Sequence, residues 1–85
     1  MTLEQFYDLS EMEQRDTLWE NGEFVVDRID DTGVYRVALY QIFSFYTEVF
    51  YYIQNYVIKE IIAFNDYEKL EIYLQQYNLD ELTER

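Results

Sequence analysis

The sequence predicts an α+β domain in which four antiparallel β-strands form a meander between two helical segments, in the order α-β-β-β-β-α. Residues 23–64 are rich in β-branched and aromatic side chains, which are favoured in strands. The segments before and after residues 23–64 each begin with helix-capping residues. Short connections between the strands require antiparallel neighbours. We therefore expect one domain over residues 1–85, with the N-terminal and C-terminal helices packed on one face of the sheet.

The N-terminal helical segment, residues 1–21, contains two capping-box patterns. Thr2 is followed by Gln5 and Ser10 is followed by Glu13, each at the spacing of a capping box. Each pattern predicts a helix start, so this segment forms either one kinked helix or two short ones. The apolar residues predicted to point inward from its second half are Met12, Leu18 and Trp19.

Turn-forming residues mark the ends of the predicted elements. Gly22 ends the N-terminal segment and is predicted to adopt the left-handed conformation of a helix C-cap. Asp30–Gly33 is the clearest turn, because aspartate bonds its own backbone and glycine tolerates a positive φ. Weaker turns are placed at residues 43–44 and 54–55. The predicted strands are Glu23–Ile29, Val34–Ile42, Phe45–Ile53 and Tyr56–Phe64.

The C-terminal helical segment, residues 66–78, begins with the capping residue Asp66. A helix is predicted over Tyr67–Tyr77, because Leu70 and Leu74 recur at helical spacing. Asn78 supplies a C-cap, and the remaining residues form a tail or one further turn.

The hairpin between the third and fourth strands decides which side chains share a face. A two-residue turn at 54–55 would pair Ile53 with Tyr56, and Tyr51 with Ile58. One face then carries Phe45, Thr47, Val49, Tyr51 and Ile53 beside Tyr56, Ile58, Glu60, Ile62 and Phe64. The other face carries Tyr46, Glu48, Phe50 and Tyr52 beside Val57, Lys59, Ile61 and Ala63. We take the first, more aliphatic face as the core beneath the helices, and Glu60 is its one misfit.

The second face predicts a protein-binding surface, because it is more apolar and aromatic than a solvated sheet face needs to be. Tyrosine suits contact surfaces, since it buries a large area and keeps a polar tip. Glu48 and Lys59 are expected to form an ion pair across a diagonal of this face. The candidate binding residues are Tyr46, Glu48, Phe50, Tyr52, Lys59 and Ile61. Three interpretations stay open for this surface: ordinary partial burial, a homodimer interface and a site for a different protein.

The formal net charge of −12 is concentrated at the two ends of the sequence. Residues 1–31 hold ten acids against two arginines and residues 66–85 hold six acids against two basic residues, whereas the centre is neutral. Such a surface repels nucleic-acid phosphates and anionic lipid headgroups, so we expect no direct binding to either. Residues 37–58 could cross a bilayer by length, but their polar residues and tyrosines favour strands. We expect no membrane span, no secretory signal and a cytoplasmic protein.

Histidine and cysteine are absent, which removes the usual general base, the thiol nucleophile and most transition-metal ligands. No glycine-rich phosphate loop is present in the sequence. Glu48 and Glu60 are the only acids of the central region, and the assumed register places them on opposite faces. We therefore expect no catalytic residue, no metal and no cofactor. The predicted function is that of a small acidic, non-enzymatic domain that binds another protein or itself.

The acidic ends permit an alternative function. Small proteins with dense surface carboxylates can occupy the basic groove of a nucleic-acid-binding enzyme or neutralise a basic toxin. The candidate residues for such mimicry are Glu4, Asp8, Glu11, Asp16, Glu20, Asp27, Asp30 and Asp31. Binding of that kind weakens steeply as salt is raised, whereas capture through an aromatic face does not.

Overall fold

A computed structural model describes residues 1–76, and its elements follow the predicted order. They are α1 (Leu3–Tyr7), α2 (Glu11–Asn21), β1 (Glu23–Ile29), β2 (Tyr35–Ile42), β3 (Phe45–Tyr52), β4 (Ile58–Phe64), a 3₁₀ turn (Tyr67–Leu70) and α3 (Glu71–Gln76). Each strand pairs antiparallel with the next, so the sheet has the order β1-β2-β3-β4. The α+β class and the four-stranded meander are confirmed. The predicted helix end at Tyr77, the C-cap at Asn78 and the tail lie outside the described residues.

Two short helices, rather than one kinked helix, form the N-terminal segment. Both predicted capping boxes are present: the Thr2 hydroxyl accepts from the Gln5 N–H at 3.1 Å, and the Ser10 hydroxyl from the Glu13 N–H at 3.2 Å. The Glu13 carboxylate in turn accepts from the Ser10 N–H, which holds the pKa of Glu13 below its usual value. Each helix therefore begins where its first free N–H groups find side-chain acceptors.

Gly22 is needed for space and not for a left-handed backbone. Its φ is −81° and its ψ is 146°, so the prediction of a left-handed cap at this residue is wrong. A Cβ atom there would lie 2.7 Å from the Leu18 carbonyl oxygen and 2.8 Å from the Leu18 Cδ1 atom. Gly33, in the predicted Asp30–Gly33 turn, does adopt a positive φ of 74°. Its N–H donates to the Asp30 carbonyl at 3.0 Å and closes that turn.

The helices pack on opposite faces of the sheet. We call the face covered by α1 and α2 the N-helix face; its buried cluster consists of Phe6, Leu18, Ile42, Phe45, Val49 and Ala63. The opposite face, the C-helix face, carries Leu39 and Phe64 packed against Tyr73 of α3. The prediction that the N-terminal and C-terminal helices pack on one face is therefore corrected. Neighbouring residues of a strand point to opposite faces of the sheet, and α1 and α2 cover one face whereas α3 covers the other.

One extra residue in β4 changes which side chains share a face. Tyr51 pairs with Ile58 as predicted, but Phe50 pairs with Glu60, so Lys59 forms a β-bulge. The predicted pair of Ile53 and Tyr56 is not formed, because β3 ends at Tyr52 and the connection to β4 is longer than two residues. The bulge turns Glu60, Ile62 and Phe64 to the C-helix face. It brings Ile61 and Ala63 to the N-helix face, where they join the core.

Candidate functional site

The structure divides the six predicted binding residues between different surroundings. Four of them share the C-helix face, as expected, because they alternate along β3: Tyr46, Glu48, Phe50 and Tyr52. Ile61 lies on the other face and packs against the N-terminal core cluster. Lys59 is the bulged residue and is exposed. The prediction that all six residues share one face is therefore corrected, and the bulge is the physical reason.

Glu48 is buried beneath α3 and forms an ion pair with a residue other than the predicted one. Only 6% of it is exposed, and its Oε2 atom lies 3.3 Å from Arg28 Nη2 and 2.5 Å from the Tyr73 hydroxyl, which donates to it. The Arg28 guanidinium also lies 5.3 Å from the centre of the Tyr73 ring. Lys59, the predicted partner, instead pairs with Glu60 at 3.3 Å. Glu48 therefore connects β1, β3 and α3 and is closed to a partner protein.

Burial raises the pKa of the Tyr73 hydroxyl, and its hydrogen bond to the Glu48 carboxylate acts in the same direction. On the N-helix face, burial raises the pKa of Tyr51 to about 12, supported by a hydrogen bond with Tyr40. Unfolded tyrosine titrates near 10. The unfolded chain therefore loses these protons first, and native stability is complete below pH ~10 and falls as the pH rises through the folded pKa values.

We accordingly expect the urea midpoint to decrease as the pH is raised from about 10 to about 12. Tyr51→Phe should reduce this slope, because phenylalanine carries no titrating hydroxyl. Tyr56→Phe is the matched control, since Tyr56 is 70% exposed. A slope that both variants reduce equally would show that burial of the Tyr51 hydroxyl is not the cause.

Phe50 and Tyr52 form an aromatic cluster with Tyr35 of β2 at one end of the C-helix face. The Tyr35 ring centre lies 6.3 Å from that of Phe50 and 5.1 Å from that of Tyr52. The Lys59 ammonium lies 5.0 Å from the centre of the Tyr35 ring. All three rings are half-buried. This end of the predicted surface is thus largely occupied by its own side chains.

An apolar groove of about 610 Å³ lies at the other end of the C-helix face, between β1 and the C-terminal helical segment. Its lining includes Val25 and Val26 from β1, Leu39 and Tyr46 from the central strands, and Tyr67 and Leu74 from the C-terminal segment. Tyr46 is stacked on Phe64, with ring centres 5.9 Å apart. It is the predicted binding residue that lines this groove. Leu74 is 53% exposed and Tyr67 is 79% exposed, so the groove opens to solvent.

Two exposed aromatic side chains lie near the start of β1 on the N-helix face. Trp19 of α2 is 48% exposed and Phe24 of β1 is 58% exposed. Both rings contact Tyr40 edge to face, with centres 5.9 and 5.7 Å away. The prediction that Met12 and Trp19 point inward is wrong, whereas Leu18 is fully buried as expected. The sequence signal for this patch was an aromatic residue on each side of the helix end at Gly22.

The two edges of the sheet differ. Within residues 1–76, β1 forms strand pairs with β2 alone, so its outer edge carries no partner strand there. A second β-bulge, at Val25, interrupts the pairing of β1 with β2. On the opposite edge, α1 lies against β4 and the Tyr7 hydroxyl donates to the Ala63 carbonyl. Within residues 1–76, both edge strands therefore lack a second strand partner, and α1 covers part of the β4 edge.

Glu48 and Glu60, predicted on opposite faces, both lie on the C-helix face because of the Lys59 bulge. Each already forms an ion pair, Glu48 with Arg28 and Glu60 with Lys59. Residues 1–76 contain no group of three acidic side chains that could hold a metal ion. In the same part of the chain, no helix combines the length and the apolar character that crossing a bilayer requires.

Comparison with known proteins gives no relative: no family model, no curated protein and no solved structure matches this chain. The functional argument therefore depends on the geometry of the apolar groove beside β1.

Proposed function

We propose that this protein is a small acidic, non-enzymatic protein-interaction domain that acts in the cytoplasm. The observation that supports the proposal is the open apolar groove of about 610 Å³ beside β1. Exposed apolar surfaces of this kind cost solubility and commonly mark interaction sites. The absence of histidine and cysteine from the sequence supports a binding role over a catalytic one.

The groove lies at the other end of the C-helix face from most of the residues that the sequence predicted, so the proposed binding surface differs from the predicted one. Phe50 and Tyr52 contact Tyr35 within the same molecule, and Glu48 is covered by α3. Tyr46 faces the groove and belongs to both the predicted and the proposed surface. Homodimerisation through Phe50 and Tyr52 consequently has less support than binding at the groove.

The test is affinity capture from lysate of the source cells with the wild-type protein and two charge variants. Leu74→Glu places a carboxylate in the groove, whereas Met12→Glu places one at a 73% exposed position on α2. We expect wild type and Met12→Glu to retain the same partner and Leu74→Glu to lose it. Urea unfolding of each variant checks that the fold is retained.

Other outcomes of the same experiment would contradict the proposal. If Leu74→Glu retains every partner and raised salt removes them all, the acidic helices bind instead, and the charge-mimic function replaces this one. If the wild-type protein sediments as a dimer that Phe50→Asp dissociates, the surface first predicted from the sequence is the functional one. If no captured protein responds to any variant, the domain has no interaction site at the groove.

A further inference from the structure

We infer that Trp19, Phe24 and Tyr40 form, with acidic side chains of α2, a site for an arginine side chain of a partner protein. We call these three residues the aromatic triad; they lie on the N-helix face, on the other side of the sheet from the groove. The inference goes beyond the proposed function, because it assigns a second contact that has its own chemistry. The site consists of side chains on a face of the sheet and needs no strand pairing.

Two rings of the triad are accessible and stand at steep angles to the third. Trp19 is 48% exposed and Phe24 is 58% exposed. Their planes make angles of 61° and 75° with the Tyr40 ring, whose centre lies 5.9 and 5.7 Å from theirs. Edge-to-face contacts of this kind hold the two exposed side chains in place. Their accessible surface is therefore presented to solvent in a defined orientation.

No lysine or arginine of residues 1–76 lies over a ring of the triad. Aromatic rings attract cations, and tryptophan does so most strongly. The same part of the chain contains three such contacts, all on other rings: Arg28 with Tyr73, Lys59 with Tyr35 and Lys69 with Phe64. Arg15, one turn before Trp19 on α2, pairs with Glu11 at 3.8 Å. The ring best suited to a cation is therefore left for one from outside the described chain.

Two acidic side chains beside Trp19 complete the site. Asp16 lies three positions before Trp19 and four before Glu20, and residues at these spacings are neighbours on a helix surface. Both acids are exposed, and neither forms an ion pair within residues 1–76. Like charges four positions apart destabilise a helix. A cation held beside both acids and the Trp19 ring relieves that repulsion.

Arginine is the cation that fits this combination of rings and carboxylates. Its guanidinium is flat and weakly hydrated, so one face can stack on a ring while the N–H groups donate to carboxylate oxygens in its plane. A trimethylated ammonium is also attracted to rings, but it has no N–H group to donate to the acids. A phosphocholine headgroup carries a phosphate beside its cation, and the carboxylates of α2 repel that phosphate.

A second copy of this chain is a poor source of the arginine. Every basic side chain of residues 1–76 already contacts an acid or an aromatic ring: Arg15, Arg28, Arg36, Lys59 and Lys69. Each molecule also carries a net charge of −12, which opposes the close approach of two copies. The arginine therefore belongs to a different protein, one with a basic surface.

The test follows the indole N–H signal of Trp19 by nuclear magnetic resonance while blocked tripeptides are added to the whole protein at constant ionic strength. Trp19 is the only tryptophan, so this signal reports on the triad. The parent peptide is glycine–arginine–glycine. One comparison peptide contains citrulline, which keeps the shape of the arginine side chain without its charge. A second contains trimethyllysine, which keeps the charge without the N–H donors.

We expect the arginine peptide to shift the indole signal to saturation, the citrulline peptide to bind about tenfold more weakly, and the trimethyllysine peptide to bind more weakly than arginine. Phe24→Leu should weaken arginine binding, because leucine keeps an apolar side chain but removes the ring. Glu20→Gln should weaken it by about two- to fivefold, the range for an exposed ion pair. Glu68→Gln is the matched control, since it removes the same charge from an exposed position in the 3₁₀ turn and should leave the affinity unchanged.

Equal affinity of the citrulline peptide would overturn the inference, because binding would then not depend on charge. Tighter binding of the trimethyllysine peptide would overturn the choice of arginine and assign the triad to a methylated ammonium. Equal weakening by Glu20→Gln and Glu68→Gln, or no shift with any peptide, would contradict the site as well. Leu74→Glu separates this site from the groove, because it should abolish capture at the groove and leave the titration with the arginine peptide unchanged.

Discussion

Replacing Glu48 by glutamine is expected to lower the free energy of unfolding by about 3–5 kcal/mol. The substitution removes the negative charge that faces Arg28, whose side chain is 11% exposed, and leaves a buried guanidinium without a counter-ion. A domain of this size has only ~5–15 kcal/mol of stability in total. Urea unfolding measured by far-ultraviolet circular dichroism would determine the loss directly.

Glu60→Gln provides a matched control for that variant. Glu60 also pairs with a basic residue on the C-helix face, but the Lys59 and Glu60 side chains are 39% and 44% exposed. An exposed pair contributes about 0.2–1 kcal/mol, so this variant should unfold close to the wild type. Equal losses for the two variants would mean that burial of the Glu48 pair has no energetic consequence.

The double variant Glu48→Leu, Arg28→Met separates the value of the pair from the cost of an unpaired charge. Removing both charges eliminates the desolvation of both, and apolar side chains of similar size can replace the packing. We expect the double variant to be more stable than Glu48→Gln. If it is the less stable of the two, the hydrogen bond from Tyr73 contributes more than the ion pair does.

Phe6→Ala is expected to cost about 3–5 kcal/mol, the range for truncating a buried phenylalanine. Phe6 is the buried residue of the five-residue helix α1, and its ring centre lies 5.6 Å from that of Phe45. A helix this short has little stability of its own, so burial of the ring is a main contribution to its attachment to the sheet. The loss is measured by urea unfolding of the variant and the wild type.

Phe43→Ala is the control for the core substitution. Phe43 is also a phenylalanine beside Phe45, at 6.2 Å between ring centres, but it is 44% exposed. Its truncation opens no internal cavity, and we expect a loss of about 1 kcal/mol or less. A loss comparable to that of Phe6→Ala would show that the packing of Phe45 depends on both neighbours equally.

The order of the elements could be predicted from sequence because its signals are local. Both capping boxes and the Asp30–Gly33 turn act within a few residues, and each appears in the structure where the sequence places it. Strand composition then locates the sheet between them. These features require no knowledge of which parts of the chain meet in space.

The faces of β4 could not be predicted, because they depend on one bulged residue. A shift of one position reverses every side chain beyond it. The sequence did contain a sign of the shift: a regular hairpin placed Glu60 in the core, where a carboxylate needs a partner. The Lys59 bulge moves Glu60 to the other face and puts Ile61 and Ala63 in the core.

The groove could not be predicted either, since its walls come from residues far apart in the sequence. Val25 and Leu74 line the same groove only because α3 lies on the C-helix face, where Tyr73 reaches Glu48. No local pattern encodes that placement. The predicted ion pair of Glu48 with Lys59 was wrong for the same reason, because the true partner, Arg28, lies on a strand that is not adjacent to β3.

The contact of Tyr7 with the backbone of Ala63 has a consequence for how molecules of this protein can assemble. A sheet with two free margins can grow into an open-ended ribbon, as in amyloid, whereas a sheet with one can accept a single neighbour and then stop. The Tyr7 hydroxyl occupies one carbonyl of the β4 margin, so another strand could pair at that position only by displacing this hydrogen bond. Growth of the sheet from that margin is therefore disfavoured, which helps a protein with many strand-forming aromatic residues to avoid fibres.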